Sequence, residues 1–200
     1  MKIVKKGRFG QMNRVGALVT YLSQFYPVFA MKVVDTVIEE IETAMEENLF
    51  IERQRRISMM KFFGELYNYS LIEMGINYTF LIHCKDMILK MLYFLLDAGN
   101  DPNDPVYKHI PDSKDDVFRV SLICTLLETV ATHLKKKKYK NVVDKYLVFF
   151  QKYILSKSYI PMNVEFHILD VLDNISPDLK KFKNYKEAQE ACAKLSKASI

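Results

Sequence analysis

Turn-forming residues are scarce in this chain, with six glycines and six prolines in 200 residues. An all-β protein spends more of both, so the scarcity favours helices before any pattern is read. Cysteine is scarce as well. Cys84, Cys124 and Cys192 are odd in number, fall at unrelated spacings and form no C-x-x-C. That argues against a disulfide framework and for a reducing compartment. Long apolar runs are missing. The longest stretch without a charge, residues 15–31, contains Thr20, Ser23, Gln24 and Pro27 and makes a poor membrane span. The basic N-terminus lacks the compact apolar segment and cleavage site of a signal peptide. Together these absences lead us to expect a soluble, intracellular chain with no membrane partner.

What the chain has is core material. Half of its residues are hydrophobic, 12% are aromatic and 26% are charged. That composition argues against disorder. A chain of this size buries roughly 70% of its unfolded surface. Apolar residues recur at helical spacing. Val15, Leu18, Val19, Leu22, Phe25 and Tyr26 form one such set, ended by Pro27. Ala30, Val34, Val37, Ile41, Ala44 and Met45 form the next, with Asn48 as a stop. Further helices are expected over residues 52–69, 77–96, 115–134, 141–155, 161–176 (capped by Asn163) and 185–195. No segment reads as a strand. Eight helices with mostly short links suggest an all-α, HEAT-like stack of antiparallel helical hairpins, an α-solenoid. Residues 98–115, with Gly99, Pro102, Pro105 and Pro111, form the one long loop between two helical groups. The expected organisation is residues 1–10 as the end of a preceding helix or linker, then a single helical-repeat domain over 11–197.

Signatures of catalysis are missing. His83, His109, His133 and His167 are scattered, and none is spaced to share a metal with another His or Cys. The phosphate-binding glycine loops and the nucleophile-elbow pattern are both missing. Cys124 sits on an apolar helix face and reads as a small core residue. We therefore expect no enzyme, no metal and no cofactor.

The charge is unevenly distributed. The total is +5, yet residues 35–47 hold six acids (Asp35, Glu39, Glu40, Glu42, Glu46 and Glu47) and no Lys or Arg. The rest of the chain is correspondingly more basic. Asp35, Glu39, Glu42 and Glu46 are spaced 4, 3 and 4, so at 100° per residue they lie within about 60° of one another. Like charges at such spacings destabilise a helix by about 0.2–0.5 kcal/mol per pair. A solvated outer face accounts for most charge runs. An unrelieved acidic ridge on a basic protein equally suits the docking of a basic partner. The cations are more diffuse. Arg53, Arg55 and Arg56 form one cluster, Lys135, Lys136, Lys137 and Lys138 a second, and Lys180, Lys181, Lys183 and Lys186 a third. The first two are candidate RNA-backbone contacts without sequence preference. No aromatic strand motif for base stacking accompanies them.

Four strings carry a resemblance. RQRRISMMKFFGELYNY (53–69) and VVDTVIEEIETAME (33–46), followed by FRVSLICTLLETV (118–130) and LVFFQKYI (147–154), resemble a known family. It is the third middle-type (initiation factor 4G middle domain-like) domain of the nonsense-mediated mRNA decay scaffold up-frameshift factor two. The resemblance covers residues 11–195. It implies a HEAT-like fold in a non-catalytic cytoplasmic scaffold, including its perinuclear pool. It also implies docking of the RNA-recognition-motif domain of up-frameshift factor three. The family's partner-binding acids map onto Asp35, Glu39 and Glu46, with Glu42 and Glu40 as neighbours. RNA binding, and further decay-complex proteins held by the rest of the scaffold, are implied as well. Two alternatives stay open: an RNA-binding module built on the Lys and Arg patches, and a middle-type domain that holds a DEAD-box helicase. One departure from the family is visible. The segment 73–98 is about ten residues longer than its pattern, which either lengthens the fourth helix or breaks it near Gly75.

Overall fold

The structure, a computed structural model, describes residues 9–72, 87–97 and 112–197. Within them the regular structure is helical, and no strand occurs among the described residues. The chain divides into two compact units, Met1–Pro111 and Asp112–Ile200. The division falls inside the proline-bearing segment 98–115. Most of that segment, residues 73–86 of the long fourth-helix region, and residues 1–8 lie outside the described residues.

The first unit contains α1 (Met12–Ser23), α2 (Pro27–Glu47), α3 (Arg53–Asn68) and α4 (Met87–Asp97). Links of three and five residues fold α1, α2 and α3 into consecutive antiparallel hairpins. α1 packs on both α2 and α3, and α2 packs on α3. At the centre stands α3, buried around most of its circumference by Met59, Met60, Phe62, Phe63, Leu66 and Tyr67. In α4, Ile88, Met91, Leu92 and Leu95 are buried, as their spacing predicts.

The face that α1 buries differs from the one its apolar spacing suggests. Met12, Gly16 and Val19 are inside, whereas Leu18, Phe25 and Tyr26 are exposed. Gly16 decides the orientation. A Cβ there would stand 3.1 and 3.2 Å from ring carbons of Tyr69 and 3.4 Å from Cβ of Glu65. Close approach to α3 therefore goes through the residue without a side chain.

The second unit contains α5 (Phe118–Leu134), α6 (Lys140–Leu155), α7 (Met162–Ile175) and α8 (Tyr185–Lys197). Here α5 packs on α6 and α7, and α6 on α8. The closest packing is thus between helices two apart in the chain, the pattern of stacked hairpins. The central helix is α5, buried on several sides through Val120, Leu122, Ile123, Leu126, Leu127 and Val130. Asp116 Oδ1 accepts the backbone N–H of Phe118, the first helical residue, at 2.9 Å, which sets an anion at the positive end of this helix. For α7 the expected cap, Asn163, is already inside the helix. The Pro161 carbonyl accepts the N–H groups of Val164 and Glu165 at 2.9 and 3.0 Å instead. Before α5, Asp112 accepts from Tyr153 Oη at 3.0 Å and from Lys157 Nζ at 2.7 Å, with Arg119 at 3.9 Å. That cluster ties the start of the unit to α6.

Candidate functional site

The acids of interest lie on α2. Pro27 occupies its first turn, where a missing N–H costs nothing. Ala30, Val34, Val37, Ile41 and Met45 form its buried side. Asn48 ends it with φ 44°, and its N–H bonds back to the Ala44 carbonyl at 3.2 Å. The left-handed residue turns the chain toward α3.

The structure brings Glu39, Glu42 and Glu46 together as an exposed row, with Asp35 half-buried at its head. No hydrogen bond or ion pair reaches Glu39, Glu42 or Glu46 among the described residues. Their mutual repulsion is visible in Glu42. Its carboxyl is held above its ordinary value of 4.5, first by lost solvation and then by the charges of Glu46 and Glu39. The sole cation within α2, Lys32, stands one turn before Asp35 and is exposed.

Glu40 behaves differently. It points toward α3, is half-buried and pairs with Arg55. Arg55 also bonds both carboxylate oxygens of Glu52, at 2.8 and 2.9 Å. Burial works against the Arg55 charge, but Glu40 and Glu52 more than offset it and raise its pKa. Glu40 is therefore neutralised from within the fold, whereas nothing among the described residues neutralises Glu39, Glu42 and Glu46.

The expected arginine cluster does not form a common surface. Arg56 is only 4% exposed. Its Nη1 donates to the Ala44 carbonyl at 3.2 Å and to Asn48 Oδ1 at 2.8 Å, and its Nη2 to the Leu49 carbonyl at 3.1 Å. It closes the C-terminal end of α2, where a cation is also favoured by the helix dipole. Arg53 lies 4.4 Å over the Phe50 ring. By contrast, Lys135, Lys136, Lys137 and Lys138 are all exposed in the α5–α6 link. Lys135 Nζ reaches Asn174 Oδ1 at 2.6 Å and Lys181 Nζ reaches Asp173 Oδ1 at 2.5 Å. Two lysine patches far apart in sequence thus meet at the last turn of α7.

Elsewhere the chemistry is quiet. Burial pushes the Cys124 thiol up to about 12, with help from Glu128, which makes it a poor nucleophile. Cys192 is buried too. His167 faces Glu128 at 3.3 Å, and His133 faces Lys136 at 3.3 Å. His83, His109 and Cys84 lie outside the described residues. Among the described residues no group of three or more His, Cys, Asp or Glu could hold a metal, and no helix is long and apolar enough to cross a membrane.

One feature did not show in the apolar spacing, which grouped Leu18 and Phe25 with Val19 in a single set. Leu22, Phe25, Tyr26, Pro27, Val28 and Phe29 line an open cavity of about 620 Å³ where α1 turns into α2. The signal available in the sequence was helical phase. Val28 stands seven residues before Asp35, two turns along the same line.

Comparison with known proteins agrees with this architecture. The chain is 32% identical to "Regulator of nonsense transcripts UPF2" of Arabidopsis thaliana over 192 residues, which is 96% of the chain and 15% of that protein. It is 28% identical to "Regulator of nonsense transcripts 2" of Homo sapiens, over 90% of the chain and 14% of that protein. With "Nonsense-mediated mRNA decay protein 2" of Schizosaccharomyces pombe the identity is 23%, over 92% of the chain and 17% of the relative. The chain thus spans under a fifth of the length of these relatives. Residues 6–178 match the family described as MIF4G domain, whose all-α, HEAT-like fold the stacked hairpins reproduce. This chain belongs to the MIF4G domain family.

Proposed function

We propose that this chain is a non-catalytic docking module of nonsense-mediated mRNA decay, corresponding to the third middle-type domain of up-frameshift factor two. Its acidic row on α2 receives the basic face of the RNA-recognition-motif domain of up-frameshift factor three. It works in the cytoplasm as part of a larger scaffold whose other regions hold further decay proteins. The observation that carries this reading is the row itself. Glu39, Glu42 and Glu46 are exposed and carry no ion pair among the described residues. The fold meanwhile neutralises Glu40 on the same helix. Charges left unsatisfied along about two turns steer a cationic partner and fix its register.

Isothermal titration with that RNA-recognition-motif domain tests the proposal. Glu46→Arg combined with Glu39→Arg reverses two positions of the row. Reversal at a close charge pair costs 2 kcal/mol or more, about a thirtyfold loss of affinity. A folded double variant that binds as tightly as the unaltered chain refutes the docking assignment.

A second reading has its own support in the exposed lysines of the α5–α6 link and their proximity to Lys181 through the end of α7. They form a non-specific RNA surface in this reading. Replacing Lys135, Lys136, Lys137 and Lys138 with Ala then lowers both the affinity for single-stranded RNA and its dependence on salt. Unaltered affinity and slope reject it.

A further inference from the structure

The corner between α1 and α2 exposes apolar surface that the acidic row does not explain. Leu18 and Tyr21, one turn apart on α1, and Phe25, in the turn just past its end, are 57, 61 and 62% exposed. The Tyr21 and Phe25 rings meet edge-on at 5.6 Å. Phe25 then lines the 620 Å³ cavity together with Val28, itself 57% exposed. Single exposed apolar side chains are ordinary, but a contiguous group around a cavity marks an interaction surface.

Helical phase joins this corner to the acids. Val28 lies within about 20° of Asp35 around α2, and Met31, also exposed, within about 40°. The line Val28, Met31, Asp35, Glu39, Glu42 and Glu46 runs about 27 Å along one side of the helix. It begins apolar and ends in three carboxylates without ion pairs among the described residues. One continuous strip thus changes character along its length.

We propose that this corner is the apolar half of the docking surface. It receives exposed apolar side chains of the same basic partner whose cations meet Glu39, Glu42 and Glu46. The inference rests on the acidic row being the docking site. The partner's chemistry follows from the strip: a protein face with a row of Lys or Arg beside an apolar knob. A nucleic acid is repelled by the carboxylates, and a plain polycation leaves the corner wet. The two halves have different tasks. Long-range attraction to the acids speeds encounter and depends on salt, whereas desolvated apolar anchors slow departure.

Binding kinetics separate them, with the RNA-recognition-motif domain of up-frameshift factor three as the immobilised probe at two salt concentrations. Phe25→Ser with Val28→Ser is expected to dissociate at least tenfold faster with an unchanged salt dependence of association. Glu39→Gln with Glu42→Gln and Glu46→Gln is expected to associate more slowly and to flatten that dependence. Both serine substitutions are at exposed positions, so an unchanged melting temperature checks the fold. Val28→Lys, a second variant at the same place, must weaken binding as well. If the carboxylate variant slows association while both corner variants dissociate at the normal rate, the corner is idle and this inference falls alone. If no variant changes binding, the docking reading falls and takes this one with it. If sedimentation shows that the chain dimerises and that the corner variants do not, the corner belongs to a second copy of the chain and the inference is overturned.

Discussion

Arg56→Ala should unfold the first unit far more readily than any neighbouring arginine substitution. The side chain is buried and spends three hydrogen bonds on the end of α2: the carbonyls of Ala44 and Leu49 and the amide oxygen of Asn48. Hydrogen bonds from a charged donor contribute about 1.5 kcal/mol each at the low end. Their sum is offset in part because the variant no longer buries a guanidinium, which itself costs several kcal/mol to desolvate. We expect a net loss of about 3 kcal/mol, equivalent to a fall in Tm of about 6–12 °C for a chain of this length. Arg55→Ala is the comparator. Arg55 carries ion pairs to Glu40 and Glu52, yet all three side chains retain solvent access, so its loss costs at most about 1 kcal/mol. Arg56→Lys should recover little, since one ammonium cannot span three acceptors held by a planar fork. Far-UV circular dichroism in a urea titration measures all three variants. Equal losses for Arg56→Ala and Arg55→Ala would refute the capping role and return Arg56 to the surface.

Three further outcomes follow from the same geometry. Gly16→Val should lower stability by about 1–3 kcal/mol in thermal melts, because its branches enter the Tyr69 ring space that a Cβ already reaches at 3.1 Å; Gly16→Ala costs less, since the helix regains about 1 kcal/mol of propensity. Asp112→Ala should cost about 3 kcal/mol in urea unfolding, for it removes the carboxylate paired with Lys157, whose side chain is 2% exposed, and leaves that ammonium the Ser113 carbonyl. Glu42→Gln should raise Tm at neutral pH. The folded state holds this carboxyl above 4.5 and so disfavours its charged form, and stability falls as pH rises from 4.5 through the raised value. Below 4.5 both chains carry a neutral side chain there and the advantage should vanish; a gain that persists in acid contradicts the repulsion.

The parts legible in the sequence are those decided within one helix. The acidic row needs only the 3.6-residue period of α2, and its exposure follows from the apolar residues that the same helix turns inward. The order of the helices among the described residues was legible for the same reason. The buried face of α1 was not. Its apolar residues occupy more than one side, and the choice between them depends on Gly16 meeting Tyr69 more than fifty positions later. Arg56 was illegible for a related reason. Its triplet with Arg53 and Arg55 looks like a surface patch until the left-handed Asn48 returns the chain and sets the start of α3 against the end of α2. Lys135 and Lys181 gave the opposite error of scale: two separate patches in sequence, one neighbourhood around Asn174 and Asp173 in space.

The contrast within α2 bears most directly on why the row exists. Glu40 shows that this fold can place a guanidinium against an acid of that helix, since Arg55 reaches it from α3. The same fold leaves Glu39, Glu42 and Glu46 without such a partner among the described residues, and lost solvation together with the charges of Glu46 and Glu39 raises the pKa of Glu42. Repulsion of this size, a few tenths of a kcal/mol per pair, is small against the stability of a folded domain. It is large enough, however, for a single Lys at the place of Thr43, four positions from Glu39 and three from Glu46, to relieve part of it. Thr43→Lys should therefore raise Tm slightly while it slows association with a basic partner. A substitution that stabilises the free protein and weakens its complex is the signature of charge held in reserve for binding. One that changes neither property identifies the row as ordinary solvated surface.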